Sequence, residues 1–427
     1  MKSIPKTGPV DARVSVPPSK SYSVRAILLA AMAEGETTVT NCLDSDDTRY
    51  ALEAVRTLGY RVTGSFREGL TIGERVRMSA DEVPIFTGNA GTAMRFLTGW
   101  LPFVPGRFLL HGEARMHERP IGDLVDVLLQ IGAEVEYVDK HGYPPLRIRG
   151  KKMRGGFDVA VSADTSSQFA SALMLGGATL PGGISLTLTS LASAPYLDIT
   201  ADILRDFGAA VERTERTIRV AAPRLYREIY AVEGDYSSAS YWFAAAAATA
   251  GTIRVAGLAT TSEQGDARFL DVLASLGCTV GWAGGDLEVR GPQRLAGGEF
   301  DCNATPDIVP TLAAIAPLAA DPVRIVNVGN LRVKESDRIA TVAMELRRLG
   351  ASVEEGPDSL RIEPGWSSEP AVVETHGDHR IAMSFAIAGL ARGNVTIAGE
   401  QVVSKSYPRF WMTLDEVVSG ARTGDRS

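Results

Sequence analysis

The hexapeptide TLGYRV at residues 57–62 returns four times along the chain, as QIGAEV at 130–135, DFGAAV at 206–211, SLGCTV at 275–280 and RLGASV at 348–353. Their glycines, Gly59, Gly132, Gly208, Gly277 and Gly350, are 73, 76, 69 and 73 residues apart. That period over a chain of 427 residues reads as about six copies of one supersecondary unit. In each copy an amphipathic run ends in an apolar residue and a glycine, and alternating apolar residues follow. This is the pattern of a helix closed by a left-handed glycine and continued by a strand. A second alternating stretch begins soon after each phrase, at Leu70, Leu146, Ile218, Leu287 and Leu360. The two stretches predict a hairpin.

Upstream of each phrase lies a polar or glycine-rich start, an Ala/Leu helix, a glycine turn and a β-branched strand. The copies begin PSKSYSVRA at Pro18, GNAGTAMR at Gly88, DTSSQFASAL at Asp164, GDYSSASYW at Gly234, TPDIVPTL at Thr305 and GDHRIAM at Gly377. One unit therefore reads βαβαββ, an α/β class, with small residues on helices suited to close packing. The sixth copy lacks its glycine phrase and ends in SYPRFWMTLDEVV from Ser406. A strand at Val10–Val16 is expected to complete it. Both termini would then share an outer domain, 1–17 with 233–427, around an inner domain, 18–232, with three repeats in each. Two similar lobes joined by a double crossing are expected to close on a ligand between them.

Hydrophobic residues make up 45% and charged ones 22%, which suits a globular chain with ample core. No apolar run reaches the length of a membrane span and MKSIPKTGPV carries no signal-peptide core, so a cytoplasmic location is the default expectation. Cys42, Cys278 and Cys302 are far apart, follow no metal-ligand spacing and read as buried thiols. His376 and His379 have no nearby Cys or carboxylate pair to complete a zinc site. A net charge of −7 argues against a general nucleic-acid binder.

The cations are unevenly placed. Lys20, Arg25, Arg95, Arg119, Lys334, Arg338, His379, Arg380 and Lys405 all fall at or near expected helix starts. Helix N-termini carry partial positive charge and prefer acids, so repeated bases there point to an anionic ligand. PSKSYSVRA offers Lys20, Ser21 and Arg25, against a plainer reading as a serine cap with solvated basic neighbours. GNAGTAMR, with Gly91, is a glycine-rich turn that lets backbone approach an anion, or an ordinary helix start. Arg119 stands before Pro120; its plainer reading is an exposed arginine paired with Glu118. Ser166, Ser167 and Gln168 suit phosphate and hydroxyl recognition or simple capping, two readings of equal weight. In NLRVKESDR, Lys334 and Arg338 are expected on one helix face beside Glu335, with Asn330 ahead of them. Asp307 follows Pro306 at another helix start, where a carboxylate among many cations can stay ionised and act as a base.

Taken together, PSKSYSVRA, GNAGTAMR, RMHERPIGDL, SSQFASAL, EGDYSSASYW, RVKESDR and GDHRIAM resemble, in order and over essentially the whole chain, the enolpyruvyl transferases, and most closely the branch acting on shikimate 3-phosphate. The resemblance implies a two-domain inside-out α/β barrel of six βαβαββ repeats. It implies transfer of the carboxyvinyl group of phosphoenolpyruvate to the 5-hydroxyl of shikimate 3-phosphate through a tetrahedral intermediate, without metal or organic cofactor. By matching motif, Lys20, Ser21, Arg25, Ser166, Ser167, Ser193, Asp307, Asn330 and Lys334 would hold shikimate 3-phosphate. Lys20, Gly91, Arg119, Gln168, Arg338, Arg380 and Lys405 would hold phosphoenolpyruvate. Asp307 would be the base on the attacking hydroxyl, and Glu335, with Lys20, the proton donor to the methylene carbon.

Val24 and Ala194 depart from residues frequent in the family, and Phe96 stands where glyphosate-sensitive members commonly have Pro. Inhibition by glyphosate through open space at Gly91 is the resulting expectation. The sister branch acting on UDP-N-acetylglucosamine usually carries a reactive Cys before its Arg-Pro motif; Gly112–Pro120 holds neither Cys nor Asp. A sliding-clamp ring or a repeat-built phosphate-binding protein would also repeat α/β units, yet neither needs an acid, a base and cations gathered at helix starts. With an acidic surface and no heptad or apolar stripe, a monomer is the expected state.

Overall fold

The computed structural model describes residues 1–76, 81–222 and 224–424. Its chain contacts divide it into a central unit, Pro18–Glu233, and a terminal unit, Met1–Pro17 with Gly234–Ser427. The central unit holds α1 (Lys20–Met32), α2 (Asp46–Thr57), α3 (Gly91–Trp100), α4 (Gly122–Gln130), α5 (Gln168–Gly177) and α6 (Pro195–Asp206). The terminal unit holds α7 (Tyr236–Thr249), α8 (Phe269–Ser275), α9 (Val309–Ile315), α10 (Arg338–Arg348), α11 (His379–Arg392) and α12 (Phe410–Gly424).

Each glycine phrase does what its chemistry allows. Gly59, Gly132, Gly208, Gly277 and Gly350 close α2, α4, α6, α8 and α10 at φ of 85°, 83°, 88°, 97° and 82°, a region costly for residues with a Cβ. The strand that follows turns back as an antiparallel hairpin in all five copies, for example Glu134–Tyr137 with Leu146–Gly150. The full sheet is the same in each. Val83–Phe86 runs parallel to Gly106–His111, which pairs antiparallel with Leu146–Gly150, and that with Glu134–Tyr137.

Inside each unit the first helices of the three repeats form the core. In α3 only Thr92 escapes burial, and in α5 only Gln168. Small residues make this possible: a Cβ on Gly176 would stand 2.0 Å from the Gly99 carbonyl oxygen, and one on Gly99 2.4 Å from that of Ala172. Backbone thus touches backbone between α3 and α5, and a larger residue at either glycine would force the helices apart. In the terminal unit, α7, α9 and α11 pack on one another, with Thr311 and Ser384 hydroxyls 3.1 Å apart in the core. Trp242 of α7 stacks on Phe410 of α12.

The N-terminal strands differ from expectation. Asp11–Ser15 does not complete the sixth repeat; it lies parallel to Thr252–Ala256 and leads the fourth sheet, Asp11 opposite Thr252. Ile229–Ala231, which precedes α7 in sequence, stays with the central unit beside Thr37–Thr40. The two crossings therefore exchange leading strands. The sixth sheet is completed by Lys2–Ile4, antiparallel to Val395–Ala398, with Ile4 buried against α11 where Gly389 leaves room. A three-residue strand is too short for alternation to reveal.

Among the described residues, no helix is long and apolar enough to cross a membrane.

Candidate active site

In the central unit the polar helix starts become a cationic cluster. Ser19 caps α1 by accepting from the Tyr22 N–H, so Lys20 and Ser21 occupy the first turn. The Lys20 ammonium lies 3.1 Å from Asp47, whose side chain is almost wholly buried. Arg25, 1% exposed, donates to the Ser21 carbonyl at 2.9 Å, Thr200 Oγ1 at 2.9 Å and the Tyr196 carbonyl at 3.2 Å. Its guanidinium sits 4.8 Å from the Phe96 ring centre. Burial pulls its pKa down to about 10.

The first turns of α3 and α5 are joined. Arg95 Nη1 donates to Gln168 Oε1 at 2.9 Å, and Gln168 Nε2 donates to Thr92 Oγ1 at 3.1 Å. Arg119 is buried, contrary to its plainer reading, and donates from Nη1 to the side-chain and main-chain oxygens of Asn89, both at 3.2 Å. It is Arg115 that pairs with Glu118. The space beside Gly91 is not open: a Cβ there would lie 2.7 Å from Arg119 Nη2 and 2.7 Å from Arg95 Nη1. Two guanidiniums therefore close on a bare stretch of backbone at a helix N-terminus, a setting suited to an anion. Ser166 accepts from the Gln168 N–H at 3.3 Å, and Ser167 precedes α5 without making a side-chain cap bond. Ser193 is buried at a φ of 58°, a conformation uncommon outside glycine.

In the terminal unit, carboxylates alternate with guanidiniums. Arg338, the first residue of α10 and 2% exposed, donates to Asp307 Oδ1, Glu335 Oε2 and Asp378 Oδ2, each at 2.8 Å. Burial opposes its charge, but Asp378, Glu335 and Asp307 outweigh burial and raise its pKa. Arg380 donates from Nη2 to Asp307 Oδ2 at 2.7 Å and from Nη1 to the Asp307 carbonyl at 3.3 Å. Asp307 is thus gripped from both sides. Asp378 caps α11, accepting from the Arg380 N–H at 2.9 Å. Asp266 is buried nearby; its carboxyl is pushed up to about 7 by desolvation first and then by the charge of Asp307. The Ser237 hydroxyl donates to its Oδ2.

Lys334 and Arg338 do not share a helix. Asp337 accepts from the Ala340 N–H at 3.0 Å and caps α10, so α10 begins at Arg338 and Lys334 stands outside in extended conformation. Asn330 lies in the 3-10 turn Gly329–Val333 ahead of it, and Lys405 ends the turn Glu400–Lys405.

The central unit thus carries Lys20, Ser21, Arg25, Gly91, Arg119, Ser166, Ser167, Gln168 and Ser193; the terminal unit carries Asp307, Asn330, Lys334, Glu335, Arg338, Arg380 and Lys405. Sequence reasoning omits Asp47, Asp266 and Asp378. Asp378 carries a signal in GDHR, where an acid before a helix reads only as a cap; the other two carry none.

The chain is 43% identical to the 3-phosphoshikimate 1-carboxyvinyltransferase of Ralstonia nicotianae, covering 96% of this chain and 99% of that protein. It is 41% identical to the enzyme of the same name from Aliivibrio salmonicida, covering 96% and 97%. The solved EPSP synthase of Acinetobacter baumannii superposes with a TM-score of 0.80 at 28% identity, over 97% of each chain. The enolpyruvyl transferase NikO of Streptomyces tendae, 19% identical with a TM-score of 0.75 over 97% and 96%, shares the fold. Residues 4–414 match the family model of EPSP synthase (3-phosphoshikimate 1-carboxyvinyltransferase), and the chain belongs to that family.

Proposed function

We propose that the two clusters serve one reaction, the central cations holding anionic groups and the terminal carboxylates moving protons. The family reaction transfers the carboxyvinyl group of phosphoenolpyruvate to the 5-hydroxyl of shikimate 3-phosphate and releases phosphate. In the addition step the 5-oxygen bonds to the enol carbon while the methylene carbon gains a proton. In the elimination step the bond to phosphate oxygen breaks and a methyl proton leaves, restoring the double bond. Asp307 takes the hydroxyl proton. Glu335, assisted by Lys20, supplies the methylene proton and takes one back.

Arg119, Gln168, Arg338, Arg380 and Lys405, with Lys20 and the Gly91 backbone, bind phosphoenolpyruvate and stabilise the leaving phosphate. Lys20, Ser21, Arg25, Ser166, Ser167, Ser193, Asn330 and Lys334, with Asp307, bind shikimate 3-phosphate. The observation that carries this reading is the single guanidinium of Arg338, which bonds Asp307 on one nitrogen and Glu335 on another. It sets two carboxylates at fixed places for two different protons. The enzyme is a cytoplasmic monomer whose two domains are the units Met1–Pro17 with Gly234–Ser427 and Pro18–Glu233.

Phosphate release from phosphoenolpyruvate is expected with shikimate 3-phosphate and not with UDP-N-acetylglucosamine. Asp307→Asn and Glu335→Gln should each lower kcat by about 10²–10⁴ with folding intact. Full turnover in both variants would remove these two residues from the mechanism.

A further inference from the structure

We infer that Glu345, acting through the His376 side chain, is a positioning residue that fixes the first turn of α11 and so sets Arg380 for phosphoenolpyruvate. The inference rests on the assignment of Arg380 to that substrate. Helix α10 carries Arg338 at its start and Glu345 two turns later, on one face. Both reach the same short segment, 374–378. Arg338 bonds Asp378, while Glu345, with a side chain 0% exposed, accepts from His376 Nε2 at 2.9 Å on Oε1. Its Oε2 accepts from the Glu374 N–H at 3.2 Å and lies 3.5 Å from Arg348 Nε. A buried carboxylate that takes no part in the chemistry is thus spent on holding a turn.

The turn itself shows why a histidine is there. Asp378 N–H donates to the Thr375 carbonyl at 2.8 Å, closing a four-residue turn. Its central residues, His376 and Gly377, have φ of 51° and 70°. A turn with both central residues left-handed favours Gly or Asn; a residue with a Cβ is disfavoured there by up to about 1–2 kcal/mol, His less than most. What His376 brings against that preference is a ring N–H delivered to Glu345. The residues next in line are Asp378, which caps α11, and Arg380, which grips Asp307. α10 therefore holds this segment at two points, and losing one lets the α11 first turn shift. A displacement near an ångström in a reacting assembly costs up to about 10²-fold.

The experiment is steady-state phosphate release by the full-length enzyme, with KM measured separately for phosphoenolpyruvate and shikimate 3-phosphate. Glu345→Ala and His376→Ala should each raise the phosphoenolpyruvate KM about tenfold, leaving the shikimate 3-phosphate KM within about twofold. His376→Gln should restore the parent value, because its amide N–H stands at the reach of the imidazole Nε2 that Glu345 accepts from. Should Glu345→Ala fail to fold, the two substitutions at the partly exposed His376 decide the matter. Arg380→Ala separates the levels. If it raises the phosphoenolpyruvate KM while His376→Ala does not, the positioning role is overturned. If Arg380→Ala itself changes nothing, the substrate assignment falls and this inference with it.

Discussion

Arg25 in the central unit and Arg338 in the terminal unit are both buried guanidiniums in the first two turns of a helix, yet their surroundings have opposite character. Arg338 meets the carboxylates of Asp307, Glu335 and Asp378, and its pKa rises despite burial. Arg25 meets a hydroxyl, two carbonyl oxygens and the Phe96 ring, and burial pulls its pKa down to about 10. Among the described residues no carboxylate pairs with Arg25. A buried cation left without an opposite charge costs several kcal/mol, which an anionic ligand offsets on binding. The terminal cluster is compensated within itself, so its guanidinium organises carboxylates. In the central cluster Lys20 pairs with Asp47, while the proposed substrate would supply the counter-charge of Arg25.

Replacing each arginine by methionine tests this difference most severely. Arg338→Met strips the shared cation from three acids and should cost about 3–5 kcal/mol in unfolding free energy, because uncompensated buried charges remain. Arg25→Met removes a cation with no carboxylate partner and fits a site lined by Phe96. Its stability should stay within about 1 kcal/mol of the parent, while shikimate 3-phosphate binding weakens about 10-fold to 100-fold with loss of charged hydrogen bonds. Denaturant unfolding and calorimetric titration read the two effects. Equal destabilisation by both substitutions would erase the contrast.

Gly91 sharpens the same comparison with a smaller expected effect. A Cβ at this position meets Arg95 and Arg119 at 2.7 Å each, and a guanidinium that moves away strains its bond to Gln168 or to Asn89. Gly91→Ala should raise the phosphoenolpyruvate KM about tenfold by overpacking. Glyphosate, the inhibitor of this enzyme family, should weaken as a competitor at least as much. Inhibition kinetics that stay unchanged in Gly91→Ala would show that the guanidinium pair lies apart from both ligands.

How far the molecule is legible from its sequence depends on the range of the interaction. The glycines at 59, 132, 208, 277 and 350 announce the repeats because closing a helix left-handed is a local demand that few residue types meet. Helix-start cations are legible for a similar reason, since they break a local electrostatic rule. The leading strands are not, because Asp11–Ser15 pairs with Thr252–Ala256 and nothing local to either names its partner. The shared face expected for Lys334 and Arg338 fails because Asp337 is a stronger helix start than four-residue spacing is evidence of continuity. The burial of Arg119 is equally silent: a neighbouring Glu118 invites a surface pair, while the groups that bury the arginine come from Asn89 and Gly91. Asp378 and Arg338 are 40 residues apart, so an acid that reads as a cap becomes the underside of the proposed site only in the fold.

Asp266 offers the finest distinction within the terminal cluster. Its Oδ1 has no hydrogen-bond partner among the described residues, and desolvation, then Asp307, push its carboxyl from 3.8 to about 7. Native protein therefore holds this proton more tightly than the unfolded chain. The stability this group contributes is fully present below its unfolded pKa and is lost as pH rises through its folded pKa, over a window from about 4 to about 7. Asp266→Asn removes the titration while leaving an amide oxygen to accept from Ser237. The unfolding temperature of Asp266→Asn relative to the parent should then climb by a few degrees between about pH 4 and about pH 8. The climb should persist in low and moderate salt, as buried charges are weakly screened. A difference that stays constant with pH would mean that Asp266 is ionised throughout. The terminal cluster would then hold one more compensated negative charge, and its contrast with Arg25 would widen.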